Sequence, residues 1–454
     1  MIPLDKNNFK SLIVLVILII FTLFSFNHMK EYYNEMINST GLINDNIEKN
    51  VKAENVQALE DNREYQNLLN SSLDGNEPEG GLSENDQVGP VTDDKELYIP
   101  KDLKLHALSS VLLDADNNRV LYGKNSDHRM PMASTTKIMT CIVALENADL
   151  NSIITFSSYA AGMPDVQLNA KKGDQFYLRD LLYSLMLESH NDVAVAIAEN
   201  IGGSVEGFAS MMNDKAKALG CLDTNFVTPN GLDAKDHYTT ARDLAVIASY
   251  AIKNEKFIAI TNTSSHNFKE IKKGREYSVT NKNKFLYMME GAIGVKTGFT
   301  NDAGYCFVGA VKEDNKTLIS VVLGCGWPPN KSLKWSDTKQ LMTYGVDNFD
   351  EKQIFQDIDF DPVFVKDGQQ RYAYLNIKGD LSLLLGKNEK VNIVYDIPSS
   401  LTAPVKAESV VGKASYYIGD QLYRDIPIYT TQNISQIDFK FCLNKLLRLW
   451  SAQY

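Results

Sequence analysis

Cysteine is scarce in this chain. There are five in 454 residues (Cys141, Cys221, Cys306, Cys325 and Cys442), widely scattered and without a CxxC. That excludes a dense disulfide framework and gives no zinc-ribbon spacing. Buried apolar thiols are the expectation instead. Histidine is also rare, six in all, with no HExxH or HxxxH spacing. Neither a metal centre nor any other cofactor is therefore expected. Glycine (27) and proline (13) are too few for a fibrous or low-complexity chain. A basic surplus is missing too: the net charge is −11 and the pI near 5.2. Nucleic acid is not an expected partner. What is present, 44% hydrophobic and 23% charged residues, is ordinary globular composition. The length suggests roughly two or three domains.

The acidity is concentrated. Residues 31–98 hold four Lys/Arg against sixteen Asp/Glu, whereas the remainder holds 42 against 41. Ahead of this segment, residues 11–26 read SLIVLVILIIFTLFSF, within an uncharged run between Lys10 and Lys30. The run approaches the roughly 20 residues that span a bilayer. It ends Phe-Ser-Phe-Asn-His, without a small-residue cleavage pattern. Residues 1–30 are expected to be a signal anchor in the cytoplasmic membrane, with a cleaved signal peptide as the alternative. Lys6 and Lys10 favour an N-terminus inside the cell, so the rest would lie outside it. Residues 31–103 read as an acidic stalk and tether. The stretch 71–95, rich in Gly, Pro and acid, has almost nothing to bury.

From about residue 104 the pattern becomes globular. LHALSSVLLDADNNRVLYGKN reads as a hairpin. Helical periodicity follows at 135–147, 178–188, 191–201, 205–219 and 240–253. YCFVGAVK and TLISVVLGC read as paired strands around Glu313-Asp314-Asn315. The expected class is α/β, one antiparallel sheet flanked by helices over 104–350. Residues 351–435 carry short β-like runs and suggest a small all-β domain. Residues 436–454 suggest a helix with Lys440, Asn444, Lys445 and Arg448 on one arc and mostly apolar residues opposite. Such a helix suits either a membrane interface or docking on its own domain.

Three short motifs carry chemistry. Ser134-Thr135-Thr136-Lys137 opens an apolar helix. Spacing of three puts Ser134 and Lys137 on one face. A serine hydroxyl needs a base to become a nucleophile. A lysine kept neutral by burial and nearby positive charge can be that base. Alone the pattern is weak, since roughly one or two matches arise by chance in such a chain. Taken singly, a helix cap plus a surface lysine is the expected reading. The second motif, Ser189-His190-Asn191, lies between two apolar helical stretches, where polar residues also serve as caps. The third, Lys296-Thr297-Gly298-Phe299, follows the apolar run Ala292-Ile293-Gly294-Val295. Its plain reading is a sheet edge with a glycine for close approach.

In order, Ser-x-x-Lys, Ser-x-Asn and Lys-Thr-Gly form the set that marks penicillin-binding proteins and class A β-lactamases. The stretches RVLYGKN…MASTTKIMT, DLLYSLMLESHNDVAVAIAE, TPNGLDAKDHYTTARDLA and GVKTGFTNDAGYCFVGA resemble the low-molecular-mass penicillin-binding proteins, the serine D-alanyl-D-alanine carboxypeptidases. TAPVKAESVVGKASYYIGDQ is similar to the small β-domain behind their catalytic domain. The resemblance implies a penicillin-binding, transpeptidase-like fold over 104–350 followed by that β-domain. It implies that Ser134 attacks the terminal D-Ala–D-Ala bond of peptidoglycan stem peptides and that Lys137 takes its proton. By the same resemblance, Ser189 relays a proton to the leaving D-alanine and Asn191 binds the substrate amide. Lys296 and Thr297 hold the free carboxylate, and Lys296 helps keep Lys137 neutral. Gly298 belongs to the same motif, and the backbone N–H groups of Ser134 and Phe299 form an oxyanion hole. β-Lactam antibiotics would acylate Ser134 in place of substrate. His190 departs from the small residue or Asp more usual at its position; it is expected to be exposed and tolerated, with tuning of substrate fit or of a local pKa as the alternative. Two rivals stand beside this reading. A class A β-lactamase needs a deacylating glutamate after the second motif, and none is convincing between Asn191 and Lys296. A catalytically silent wall-binding scaffold would keep the fold alone.

Overall fold

The computed structural model describes residues 103–451, together with Phe24, His28 and Glu31, which are helical. The expected anchor and tether otherwise lie outside the described residues. Among the described residues no helix is long and apolar enough to cross a membrane. The chain divides into two compact units, one containing residues 93–356 and 380–391, the other containing 357–379 and 392–454.

The first unit is built on a five-stranded antiparallel sheet. Its spatial order is Val120–Lys124, Ser109–Asp114, Lys316–Leu323, Gly304–Glu313, Ala292–Thr300. Successive side chains on a strand face opposite ways, and both faces here are apolar. Val111, Leu113, Val308, Ala310, Ile319 and Val321 join the larger core on one face. Leu112, Phe307, Val311, Leu318 and Val322 form a second core on the other. The helix Ala241–Ile252 covers the first face and Leu333–Asn348 the second. This is the expected antiparallel sheet with helices on both sides.

The helix Lys137–Asn147 lies inside the larger core. Ile138, Met139, Thr140, Cys141, Ile142, Val143 and Ala144 are all buried, as suits a helix apolar on every side. It packs against the helices Asn191–Gly202, Val205–Ala218 and Ala241–Ile252. Its first residue is Lys137, so the apolar sequence that follows draws an ammonium-bearing side chain into the interior. Expected and observed helices agree to within a few residues. Two further helices, Glu255–Asn262 and Leu333–Asn348, and the hairpin Ser265–Lys269/Glu276–Thr280 were not expected. Lys334, Asp337 and Thr338 sit on the buried side of Leu333–Asn348 and break its apolar stripe. All five cysteines are buried, as expected for most of them.

Residues 380–391 return to the first unit, where Ser382–Gly386 pairs with Phe349–Gln353. The second unit is mostly β. One sheet runs Leu375–Ile377, Gln421–Thr430, Val410–Ile418, Val391–Asp396, and a smaller one runs Tyr372–Ala373, Val363–Lys366, Ser400–Thr402. Val365, Ala373, Ala403, Val405 and Ile434 form a core. The helix Phe439–Ser451 follows, with Cys442 buried and Phe439, Leu443 and Leu447 exposed.

Candidate active site

Ser134 lies in a short 3-10 turn, Ala133–Thr136, that runs directly into the buried helix. Ala133 has φ +47°, in the left-handed region where most side chains are disfavoured. Two glycines close around this turn. A Cβ on Gly231 would stand 2.0 Å from the Ala133 oxygen. A Cβ on Gly298 would stand 3.0 Å from the Ser134 nitrogen and 3.1 Å from Ala133 Cβ. The edge strand Ala292–Thr300 can therefore approach the serine's backbone only because residue 298 has no side chain.

Lys137 is fully buried. Its Nζ lies 3.0 Å from Ser134 Oγ and 2.8 Å from Asn191 Oδ1, and it donates to the carbonyl of Asn230. An ammonium has three protons to place; a neutral amine has two and a lone pair. Two of the neighbours, the Asn191 and Asn230 oxygens, can only accept. The third, the Ser134 hydroxyl, can donate to the lone pair. Burial pushes the Lys137 pKa well below the ordinary lysine range, and the charge on Lys296 pushes the same way. Asp192, buried in the next helix, acts weakly in the opposite direction. The surroundings thus favour the uncharged base that the chemistry requires.

Lys296 is also buried, with Nζ donating to the Thr297 carbonyl at 2.9 Å. Burial lowers its pKa to about 7, and the ammonium of Lys334 contributes. Lys334 stands over the rings of Tyr305 and Trp335, at 4.9 and 5.0 Å from their centroids. Phe299 is 38% exposed and its ring packs on Tyr305 at 4.7 Å.

The structure therefore joins Ser134, Lys137 and Asn191 by hydrogen bonds and packs Gly298 against Ser134. It does not bond Ser189 to them. Ser189 has φ +72° and a buried Oγ with no hydrogen-bond partner among the described residues. Asn191 is engaged at both ends of its amide. Oδ1 accepts from Lys137, while Nδ2 donates to the carbonyls of Pro164 at 3.2 Å and Asp165 at 3.1 Å. In the free protein it is first of all a strut for the lysine. The hydrogen bonds of Ser134 and Lys137 run to each other, to Asn191 and to Asn230; among the described residues none runs to a glutamate.

One expectation is corrected. His190 is not exposed: it is 4% exposed, with Nδ1 2.7 Å from Ser184 Oγ and Nε2 3.4 Å from Glu188 Oε2. Both partners of the ring belong to the five-residue π-turn Ser184–Glu188 just before it. Sequence reasoning also missed Asn230, which acts through a backbone carbonyl and leaves no side-chain signature. His237 was missed as well. Its Nδ1 accepts from the Val227 N–H at 3.0 Å, so Nε2 carries the proton and faces Thr136 Oγ1 at 3.0 Å. Thr136 in turn donates to the Ala133 carbonyl, bracing the turn that carries Ser134.

A buried lysine against a serine, with a second lysine on an adjoining strand edge, defines a serine acyltransferase site of the penicillin-recognising kind. Comparisons with known proteins agree. Residues 96–326 match the D-alanyl-D-alanine carboxypeptidase family, and residues 349–436 match the C-terminal domain of penicillin-binding protein 5. The carboxypeptidase DacF of Bacillus subtilis is 29% identical over 359 residues, 77% of this chain and 91% of its own. The D-alanyl-D-alanine carboxypeptidase of Streptomyces K15 is 34% identical over 255 residues, 53% of this chain and 87% of its own. Among solved structures, penicillin-binding protein 5 of Haemophilus influenzae superposes with a TM-score of 0.63 at 27% identity, covering 75% of this chain and all of the other. The chain belongs to the D-alanyl-D-alanine carboxypeptidase family and is a serine-type enzyme of that class.

Proposed function

We propose that Ser134 is the nucleophile and Lys137 its general base in removing the terminal D-alanine from peptidoglycan stem pentapeptides. The observation that carries this is the 3.0 Å contact between Lys137 Nζ and Ser134 Oγ inside a wholly buried lysine environment. Lys137 takes the hydroxyl proton as Oγ attacks the carbonyl between the last two D-alanines. Backbone N–H groups of Ser134 and Phe299 stabilise the oxyanion, an effect for which one donor counts about 10²–10³ in rate. Lys296 and Thr297 hold the substrate's free carboxylate, which restricts the reaction to chain ends. Ser189 passes a proton to the departing D-alanine, and water then frees Ser134.

A β-lactam presents the same carboxylate and a strained amide, so it acylates Ser134. Its leaving group stays tethered and deacylation is slow. The protein works on the outer side of the cytoplasmic membrane, held by residues 1–30, with the exposed apolar side chains of Phe439–Ser451 as a second membrane contact.

The test is release of D-alanine from a pentapeptide together with labelling by a fluorescent penicillin. Ser134→Ala is expected to lose both. Lys137→Ala is expected to lose about 10³-fold in kcat/KM and in labelling rate. Equal labelling of wild type and Ser134→Ala would exclude Ser134, and steady nitrocefin turnover in place of a single burst would make the chain a β-lactamase. For attachment, the full chain should sediment with membranes and a chain lacking residues 1–30 should not, or only weakly.

A further inference from the structure

His190 is the one member of the Ser189–Asn191 segment without a part in the reaction described above. Its ring is buried between two partners that belong to the turn just before it, Ser184 and Glu188. Nε2 faces a carboxylate and so carries the hydrogen; Nδ1 is then free to accept from the Ser184 hydroxyl. Burial keeps the ring neutral, its pKa down to about 4 despite the pull of Glu188, which preserves Nδ1 as an acceptor. Ser184 is itself fully buried, which excludes it as a second nucleophile. Glu188 is fixed from its other oxygen, which accepts from the Thr280 N–H at 3.0 Å and pairs with Lys282 Nζ at 2.9 Å. Lys282 closes the circuit by donating its N–H to the Leu187 carbonyl at 3.1 Å.

Ser189 stands between Glu188 and His190 in a left-handed conformation, and its own hydroxyl has no partner among the described residues. The side chain of Ser189 therefore does nothing to hold its own backbone; the residues on either side of it, tied to one another, do. We propose that His190, bonded to Ser184 and set against Glu188, is a positioning residue that holds the Ser189 hydroxyl in place for proton transfer to the leaving amine. This rests on the role given to Ser189 above.

The experiment is steady-state D-alanine release by the full chain carrying Ser189→Ala, His190→Leu, His190→Asn, and the Ser189→Ala/His190→Leu pair, with thermal unfolding followed alongside. A displaced catalytic group can cost up to about 10²-fold in rate, and His190→Leu is expected to lose about ten-fold in kcat with KM within about two-fold. His190→Asn keeps an acceptor near the place of Nδ1 and is expected to recover to within about three-fold of wild type. The pair should be no slower than Ser189→Ala alone, because the ring acts through that hydroxyl. A wild-type kcat for His190→Leu, an asparagine variant as slow as the leucine one, or additive losses in the pair would overturn the proposal. Should His190→Leu not fold, Ser184→Ala removes the same bond from its other end and is read by the same criteria. Failure of the Ser189 role itself is distinguishable, since Ser189→Ala alone would then keep the wild-type kcat.

Discussion

The side chains of Lys137 and Ser134 meet 3.0 Å apart, and both reach toward one carbonyl, that of Asn230. The carbonyl accepts from the amine and lies 3.5 Å from the hydroxyl, so it fixes the base without neutralising a charge. A carboxylate in its place would have favoured the ammonium. On the proposed mechanism the site depends on two buried lysines with different tasks, one to be uncharged and the other to be charged.

That difference has a pH signature. Burial brings the Lys296 pKa down to about 7, so on the proposed mechanism its grip on the substrate carboxylate weakens as pH rises through that value. Lys137 must be neutral, so activity falls on the acid side as it takes up a proton. A bell-shaped profile of kcat/KM against pH is expected, since that ratio reports the free enzyme. Lys296→Arg keeps its charge at all working pH values. It should carry the alkaline limb upward by about a unit or more, whatever it costs in absolute rate. An alkaline limb unmoved by this change would assign the limb to another group.

The same lysine bears on stability. Its pKa is lower in the folded protein, about 7, than the ordinary 10.5. Between those values the unfolded chain binds the extra proton, so wild-type stability rises with pH there. The cost of burying the charge is complete below about pH 7 and gone above the ordinary value. Lys296→Met removes the charge and keeps the length. Its thermal midpoint should exceed wild type by about 2–4 °C at pH 6.5, with the gain shrinking toward pH 10, while D-alanine release is lost. Differential scanning calorimetry at both pH values checks this.

Gly298 offers a sharper geometric test. Alanine there brings a methyl group to 3.0 Å from the Ser134 nitrogen and 3.1 Å from the Thr135 nitrogen. The strand edge must then draw back from Ser134. Acylation by a fluorescent penicillin should slow by about 10²-fold while the far-ultraviolet circular dichroism stays unchanged. Acylation at the wild-type rate would show that close approach of this strand is not required.

Much of this was legible in the residues. Ser134, Lys137 and Asn191 could be read as neighbours because three motifs, each weak alone, occur together in chain order, and the structure hydrogen-bonds these side chains to one another. The sheet could be read because its strands are apolar on both faces and bounded by polar turns. Asn230 could not, because every residue type offers a backbone carbonyl. Lys334 was hidden on a helix whose apolar stripe is broken by buried polar groups. His190 misled because a polar residue between two helical stretches ordinarily faces water, whereas here the ring is buried against Ser184 and Glu188, the latter held by Thr280 and Lys282 from far along the chain. The second unit showed its alternating strands. The return of residues 380–391 to the first unit is a matter of long-range pairing with Phe349–Gln353, which local patterning does not encode.

The strand that carries Lys296 and Phe299 ends its sheet: Gly304–Glu313 lies on one side, and no strand pairs with the other among the described residues. A rim of this kind leaves main-chain groups ready to pair with a guest polypeptide laid alongside in an extended form. Recognition can then rest on the guest's backbone and its terminus more than on its side chains.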